Sequence, residues 1–124
     1  MGKSFKDLTV WQRAIQLTVA VYKLTSEFPD AEKFGLTNQM RRASVSIASN
    51  IAEGYGKSSK GEYLLFLGHA RGSCAEIETQ IVIARELGLG SQVRIDSADS
   101  LMNEVSKMLV ALMKAIRQAK PLPT

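Results

Sequence analysis

Residues 39–54 read QMRRASVSIASNIAEG, a proline-free stretch in which apolar side chains recur with the period of an α-helix. Together with the preceding turn, its apolar face consists of Leu36, Met40, Ala43, Ile47 and Ile51. The opposite face carries Arg42, Ser46, Ser49, Asn50 and Glu53. Solvated helix faces usually carry Lys and Glu, whereas this face consists mainly of small uncharged side chains. The stretch therefore predicts a helix that contacts neighbours on more than one side.

Three further segments of the chain show the same helical period, and none shows the sustained period-two alternation of a β-strand. Breaks separate the segments at Phe28-Pro29-Asp30, Gly54-Tyr55-Gly56 and Gly88-Leu89-Gly90. The predicted helices span about residues 8–26, 35–53, 60–87 and 92–118, and Pro121 and Pro123 are predicted to end the last one. The sequence therefore predicts an all-α fold, an up-down antiparallel four-helix bundle that forms one domain over residues 1–124.

The first and third predicted helices each carry a second apolar stripe beside the one expected to face the core. These stripes are Leu8, Trp11, Ile15 and Tyr22, with Thr18 and Val19, on the first helix and Leu65, Gly68, Gly72, Ala75, Thr79, Val82 and Ile83 on the third. Because a helix that is apolar nearly all round is normally buried all round, we expect the protein to self-associate. The predicted oligomer interface is Trp11, Ile15, Tyr22, Leu65, Gly68, Gly72 and Ala75. The alternative is a monomer in which these positions widen a single core.

Composition and charge are those of an ordinary globular protein and leave few kinds of site open. Hydrophobic residues make up 45% of the 124 residues and charged residues 23%. The single cysteine and the single histidine exclude an internal disulfide framework and a zinc site of several such ligands, so no metal or cofactor is predicted. The net charge of +4 permits an anionic partner. The first residues lack a signal peptide's apolar core and no apolar run is long enough to span a membrane, so we expect a cytoplasmic protein without a membrane partner.

The residues that invite a catalytic interpretation lie on the third helix. His69, Ser73, Glu76 and Gln80 recur at steps of four, three and four, which aligns their side chains along one stripe. Side chains on one helix face rarely converge on a reacting atom, so a hydrogen-bonded packing or interface stripe is favoured over nucleophilic catalysis. Cys74 lies on the inward face, where a buried small hydrophobe is favoured over a reactive thiol. Residues 54–58 lack the leading glycine and the preceding strand of a phosphate-binding loop, and we expect no enzymatic activity.

The polar segment that follows residue 54 is a more credible binding surface. Its lysines suit phosphate groups, its tyrosine suits a base, and two arginines of the second helix extend the patch if that helix is turned towards it. The predicted nucleic-acid-binding residues are Arg41, Arg42, Tyr55, Lys57 and Lys60. A solvated loop is the alternative, and Arg42 has a rival role as a partner of Glu53 or Glu76. The polar stripe predicted to pack between helices or subunits is Arg42, Ser46, Asn50, Glu53, Ser73, Glu76 and Gln80.

Five segments of the chain carry a family resemblance. They are residues 5–12 (FKDLTVWQ), Phe28-Pro29, Phe34-Gly35-Leu36, residues 39–54 and residues 72–80 (GSCAEIETQ). Together they resemble the four helix bundle proteins, also called 23S rRNA intervening-sequence proteins, and the block SIASNIAEG at residues 46–54 is specific to that pattern. The chain differs from many members at Ala48, Cys74 and Leu89, where a proline, a leucine and an aromatic residue are common.

The resemblance implies a bacterial up-down four-helix bundle, with some members encoded inside insertions of large-subunit rRNA genes. Relatives include the accessory variability protein of diversity-generating retroelements, which assembles as a basic pentameric barrel and works with a reverse transcriptase and its nucleic acid. By analogy, the resemblance implies a ring-like homo-oligomer, a pentamer, with RNA, DNA or a nucleic-acid enzyme as its partner. It implies no enzymatic activity. We therefore expect a non-catalytic adaptor associated with nucleic acid, and the alternative is a structural or protein-binding scaffold without nucleic-acid binding.

Overall fold

The computed structural model describes residues 3–119, and all regular secondary structure in that range is helical, with no strand. The four α-helices are α1 Thr9–Thr25, α2 Leu36–Tyr55, α3 Lys60–Leu87 and α4 Gln92–Gln118. Short 3-10 turns occupy Phe5–Asp7 and Asp30–Glu32. The helix bounds differ from those predicted by at most two residues. The prediction that Pro121 and Pro123 end the last helix concerns residues outside the described range.

Local sequence explains where the two long helices begin and where α3 ends. The Ser59 hydroxyl accepts a hydrogen bond of 3.1 Å from the backbone N–H of Glu62, and the Ser91 hydroxyl accepts one of 3.3 Å from that of Arg94. Both serines therefore satisfy a donor that the first turn of a helix leaves free. Gly88 follows α3 with φ of +67°, the left-handed geometry that closes a helix end at little cost for glycine.

The second helix ends two residues later than predicted because Gly54 is part of the helix rather than its stop. Gly54 is buried against α3, where an added Cβ would lie 3.0 Å from Phe66 Cβ and 3.2 Å from the carbonyl oxygen of Tyr63. A contact that close requires a residue without a side chain, since real Cβ atoms seldom approach so near. The glycine therefore serves the close approach of α2 and α3.

The helices pack in the order of an up-and-down bundle. Each consecutive pair is in contact, α4 also contacts α1, and no Cα atoms of the diagonal pairs α1–α3 and α2–α4 lie within 8 Å of each other in the described chain. Lys60 at the start of α3 reaches Ala119 just beyond α4, and Arg94 near the start of α4 pairs with Glu27 just beyond α1. Neighbouring helices therefore run antiparallel, as short connections between them require.

The core contains the inward stripes of all four helices. Its largest fully buried side chains are Leu17, Leu24, Met40, Ile47, Ile51, Leu67, Ile77, Ile81, Met102 and Leu109. Burial of such a side chain contributes about 1.5–3 kcal/mol through the hydrophobic effect, so these layers dominate the stability of the fold. Within the described residues, no helix is both long enough and apolar enough to cross a membrane.

The second apolar stripes of α1 and α3 lie largely outside this core. Leu8 and Trp11 are half-buried and pack against it, whereas Ile15 is 38% exposed and Tyr22 is 41% exposed. On α3, Leu65 is 55% exposed, and Val82 and Ile83 are exposed as well. Neighbouring helices of the described chain cover these residues only in part, so a single core does not account for either stripe as a whole.

Candidate functional site

A hydrogen-bonded polar cluster lies between α2 and α3. The Ser73 hydroxyl donates to the Ser46 hydroxyl oxygen at 3.0 Å. The Asn50 amide donates to the same Ser46 hydroxyl at 2.9 Å and to the Ser46 carbonyl at 2.8 Å. Ser73 is buried and the other two are half-buried, so the bonds satisfy polar groups that packing removes from water. Three members of the predicted polar stripe are thus joined within one chain.

Further along this seam, an open polar groove separates the two helices. It has a volume of about 420 Å³ and is lined by Asn38, Gln39, Arg42, Ala43, Ser46, Ser73 and Glu76. The predicted pairing of Arg42 with Glu53 or Glu76 does not occur, because no ion pair in the described chain includes Arg42. Arg42 and Glu53 lie eleven residues apart on one helix, about 16 Å along its axis, which is beyond the reach of their side chains.

Gln80 occupies an unusual place at the edge of the same seam. The side chain is only 6% exposed, and its Oε1 atom is buried without a hydrogen-bond partner in the described chain. It lines an outer groove of α3 together with Gly72, Ala75 and Thr79. Because a buried polar atom without a partner is costly, the structure of one chain leaves this acceptor unexplained.

The four residues that invited a catalytic interpretation do not form a catalytic arrangement. The Ser73 hydroxyl donates to Ser46, and the exposed His69 ring packs edge-on against Phe66 with centroids 5.7 Å apart. No hydrogen bond joins His69, Ser73 and Glu76 to one another in the described chain. A nucleophile needs a base within hydrogen-bond reach, which these side chains do not supply to Ser73.

The predicted nucleic-acid patch is divided between the two ends of α2. Arg41 and Tyr55 are fourteen residues apart, about 21 Å along the helix. Arg41 Nε donates to Thr25 Oγ1 at 2.8 Å, and its guanidinium stacks 4.6 Å from the centre of the Tyr22 ring. The prediction that Arg41 and Arg42 extend the basic segment after residue 54 is therefore wrong, because Arg41 is engaged with α1 at the opposite end of the bundle.

The segment after α2 is packed against its surroundings as well. The half-buried Tyr55 ring meets Tyr63 edge-on, with centroids 6.2 Å apart, and burial raises the pKa of Tyr63. The Lys57 ammonium lies 5.0 Å from the centre of the Phe66 ring. Lys60 Nζ donates to the Ala119 carbonyl at 2.7 Å, which places a cation at the carboxyl end of α4. These lysines remain exposed and charged, but Tyr55 presents less of its ring than the sequence indicated.

Charge is distributed unequally between the two ends of the bundle. The half that holds the connection between α2 and α3, formed by residues 3–17, 46–73 and 103–119, carries nine basic and four acidic side chains. The other half, residues 18–45 and 74–102, carries six basic and eight acidic ones. We call the first the basic half. This asymmetry was not among the features predicted from the sequence, although one signal was present: no acidic residue follows Glu104.

The basic half adds side chains of α4 to the predicted lysines. Lys114 and Arg117 are exposed on the last turns of α4, and the Arg117 carbonyl lies within 3.5 Å of Lys60 Nζ. In the described chain neither Lys57, Lys114 nor Arg117 forms an ion pair. The ion pairs of the described chain are Arg13 with Glu104 at 2.9 Å in the basic half, and Arg85 with Asp96 and Asp99 and Arg94 with Glu27 in the other half. The excess of positive over negative charge therefore lies at the basic half.

Cys74 is a buried thiol in the core. Burial raises its pKa to about 11 from an ordinary value of 9.0. Since the thiolate is the reactive form, we expect the native thiol to be alkylated at least about 100-fold more slowly near pH 8 than the unfolded chain. Iodoacetamide labelling followed by mass spectrometry, with and without urea, measures both rates. Equal rates would contradict the buried position and restore the reactive-thiol alternative.

Residues 3–119 contain no group of three or more His, Cys, Asp or Glu side chains placed to hold a metal ion. Comparison with known proteins gives matches of two kinds. A family model described as 23S rRNA-intervening sequence protein matches residues 6–111. A solved structure from Bacteroides thetaiotaomicron, described as a protein of unknown function from the S23 ribosomal protein family, superposes with a TM-score of 0.78. The two sequences are 20% identical, and the match covers 86% of this chain and 99% of that one, which shows a shared fold. No curated protein matches the chain.

Proposed function

The chain belongs to the 23S rRNA-intervening sequence protein family, and from this membership we propose that it is a non-catalytic, self-associating adaptor that binds nucleic acid through its basic half. The observation that carries the proposal is the unequal charge of the two ends of the bundle. Phosphate groups are attracted to clustered Lys and Arg side chains in any sequence context, so such a surface needs no base-specific geometry. The family's description, which refers to 23S rRNA, supports the same class of partner.

Self-association strengthens this surface. In a closed ring whose axis runs along the helices, every copy turns its basic half towards the same side. The positive charges then add over the copies and form one basic face of the ring. The opposite halves of the bundles form the other face. Family resemblance favours a pentamer. The combined electrostatic field of its basic halves raises the association rate and affinity for an anionic polymer. The exposed apolar stripes of α1 and α3 support the assembly itself.

The nucleic-acid proposal is tested by reversing charges at one end of the bundle only. We expect the double variant Lys114→Glu/Arg117→Glu to bind fluorescent RNA at least about 10-fold more weakly at about 50 mM salt. We also expect its log–log salt slope to fall by about 2, since each lost phosphate contact removes about one released counterion. Fluorescence anisotropy at salt concentrations from about 50 to about 200 mM measures both quantities.

The matched control is Lys23→Glu/Lys33→Glu. It changes the net charge equally, but both residues lie in the half of the bundle formed by residues 18–45 and 74–102. It is expected to bind RNA nearly as well as the unaltered protein. Equal losses in the two variants would exclude a localised basic surface and leave only an effect of net charge. If the unaltered protein binds neither RNA nor DNA at low salt, the nucleic-acid part of the proposal fails.

The exposed apolar stripes favour a second candidate function, a scaffold that binds proteins only. Size exclusion with light scattering distinguishes it from the first when the ultraviolet absorbance of the peak is recorded, because the mass and any bound nucleic acid are then measured together. A multiple of the 13.6 kDa chain mass that carries no RNA and retards none supports the scaffold. A peak at the mass of one chain contradicts self-association in either case.

A further inference from the structure

Two glycines in the middle of α3 have no explanation within one chain. An added Cβ at Gly68 or Gly72 would meet no atom within 4 Å, so neither position is kept small by packing in the bundle. Glycine weakens a helix interior, because it loses more conformational freedom than other residues on folding. Both glycines belong to a stripe of small residues on the outside of α3, which consists of Gly68, Gly72, Ala75 and Thr79.

A buried polar group points to something that covers this stripe. Gln80 lines the same outer groove as Gly72, Ala75 and Thr79, and its buried Oε1 atom has no partner within the described chain. The side chain is more than nine-tenths buried, so water reaches it poorly. A hydrogen-bond donor that arrives with a covering surface would satisfy this acceptor.

The second stripe of α1 has the spacing that matches the stripe of α3. Its members are Trp11, Ile15, Thr18 and Tyr22, separated by four, three and four residues, and the stripe of α3 has the same three intervals. The first stripe is mostly bulky and the second mostly small, so the side chains of one fit the space left by the other. The residue number of each member of the α3 stripe is 57 higher than that of its counterpart in the α1 stripe.

Contacts within the chain place the two stripes at the same height along the bundle. Thr18 Oγ1 donates to the Ser44 carbonyl at 3.1 Å, which sets Thr18 level with Ser44 on α2. The Ser46–Ser73 hydrogen bond sets the register of α2 against α3, so in this antiparallel pair Ser44 lies level with Ala75. Thr18 is therefore level with Ala75, and the offset of 57 residues holds for the whole stripe.

Equal height is what a closed ring demands. Rotation about an axis parallel to the helices moves a residue around the ring but leaves its height unchanged, so contacting residues of neighbouring copies must already be level. Helices α1 and α3 also run in the same direction, because each is antiparallel to α2. The two stripes lie on different surfaces of the bundle, which is the arrangement of a head-to-tail interface.

We propose that the α1 stripe of one copy packs in parallel against the α3 stripe of the next, which rests on the self-association proposed above. The pairs are Trp11 with Gly68, Ile15 with Gly72, Thr18 with Ala75 and Tyr22 with Thr79. The Tyr22 hydroxyl, which has no hydrogen bond in residues 3–119, donates to the buried Gln80 amide of the neighbouring copy. Stacking of Arg41 against the Tyr22 ring holds that donor in a fixed direction.

Disulfide cross-linking tests the register directly. The variant Ile15→Cys/Gly72→Cys is expected to form a ladder of covalent multimers under mild oxidation, because level cysteines come within the distance that a disulfide spans. No Cα atoms of α1 and α3 lie within 8 Å of each other in the described chain, which is too far for a disulfide, so every such bond joins two copies. Cys74 is buried and can remain in place, because we expect it to react slowly. Denaturing electrophoresis without reductant separates the products.

The matched control is Ile15→Cys/Thr79→Cys, in which the second cysteine is displaced by seven residues, about 10 Å along α3. It is expected to give at most traces of multimers. Equal ladders from both variants, or none from the first in a protein that light scattering shows to be assembled, would overturn the proposed interface while self-association stands. If light scattering finds a monomer, the interface and the proposed self-association fail together.

A single substitution tests the Tyr22–Gln80 contact separately. Tyr22→Phe removes one hydroxyl and keeps the ring, and we expect the dissociation constant of the assembly to rise about 10-fold from the loss of one buried hydrogen bond. Sedimentation over a dilution series measures that constant, and circular dichroism verifies that the helix content is unchanged. An unaltered dissociation constant would overturn the contact.

Discussion

Replacing Leu67 with alanine is expected to lower the free energy of unfolding by about 2–5 kcal/mol. Leu67 lies in the core shared by the four helices, with 0% of its surface exposed. The substitution removes apolar contacts and leaves a cavity that a close-packed interior fills only in part. Because the total stability of a domain is about 5–15 kcal/mol, the variant is expected to approach the limit at which the protein folds.

Urea denaturation followed by circular dichroism measures this loss. The comparison requires equal protein concentrations, since self-association itself adds to the apparent stability. Leu87→Ala is the matched control on the same helix, because Leu87 is 60% exposed, and its loss is expected to stay within about 0.5 kcal/mol. Losses of similar size in the two variants would contradict the inward direction assigned to Leu67.

A loss of about 2–5 kcal/mol is also expected for Gly90→Ala in the connection between α3 and α4. Gly90 has φ of +76°, which costs other residues about 1–2 kcal/mol. An added Cβ would also overlap Leu24 Cδ1 and lie 3.3 Å from Phe28 Cε1. Both neighbours are buried, so neither can move into solvent to make room, and overpacking adds about 1–3 kcal/mol.

Gly88→Ala in the same connection separates the two causes. Gly88 also has a positive φ, +67°, but an added Cβ there meets no atom within 4 Å. Gly88→Ala is expected to lower the free energy of unfolding by about 1–2 kcal/mol, which is the cost of the positive φ alone. The difference between the two urea midpoints then reports the contact of Gly90 with α1. If both variants lose the same stability, the close packing of this connection on Leu24 is wrong.

Much of the fold follows from local sequence, because helix period and helix ends depend on residues close together in the chain. The 28 residues of α3 illustrate this: a serine before Lys60 and a glycine after Leu87 mark its ends. The inward stripe follows from the same period, and residues such as Ile77 and Ile81 are buried as that stripe requires.

Features that depend on the approach of two helices were harder to predict. Gly54 has the composition of a helix stop, and only its distance to Phe66 shows that it permits close packing instead. The sequence predicts Arg41 in a patch near the end of α2, because the position of a residue along the chain does not determine which neighbouring helix its side chain contacts. The basic half, in contrast, follows from an antiparallel order together with the lack of acidic residues after Glu104.

In residues 3–119, the close approach of neighbouring helices without a comparable approach of the diagonal pairs has a consequence for the route by which the chain folds. Contacts between consecutive helices need only the closure of short loops, and folding rates rise as contacting residues lie nearer in sequence. Docking of α4 on α1 joins the most distant parts of the described chain. An early hairpin of α2 and α3, held at Gly54 and at the Ser46–Ser73 hydrogen bond, therefore offers a nucleus onto which the two outer helices condense.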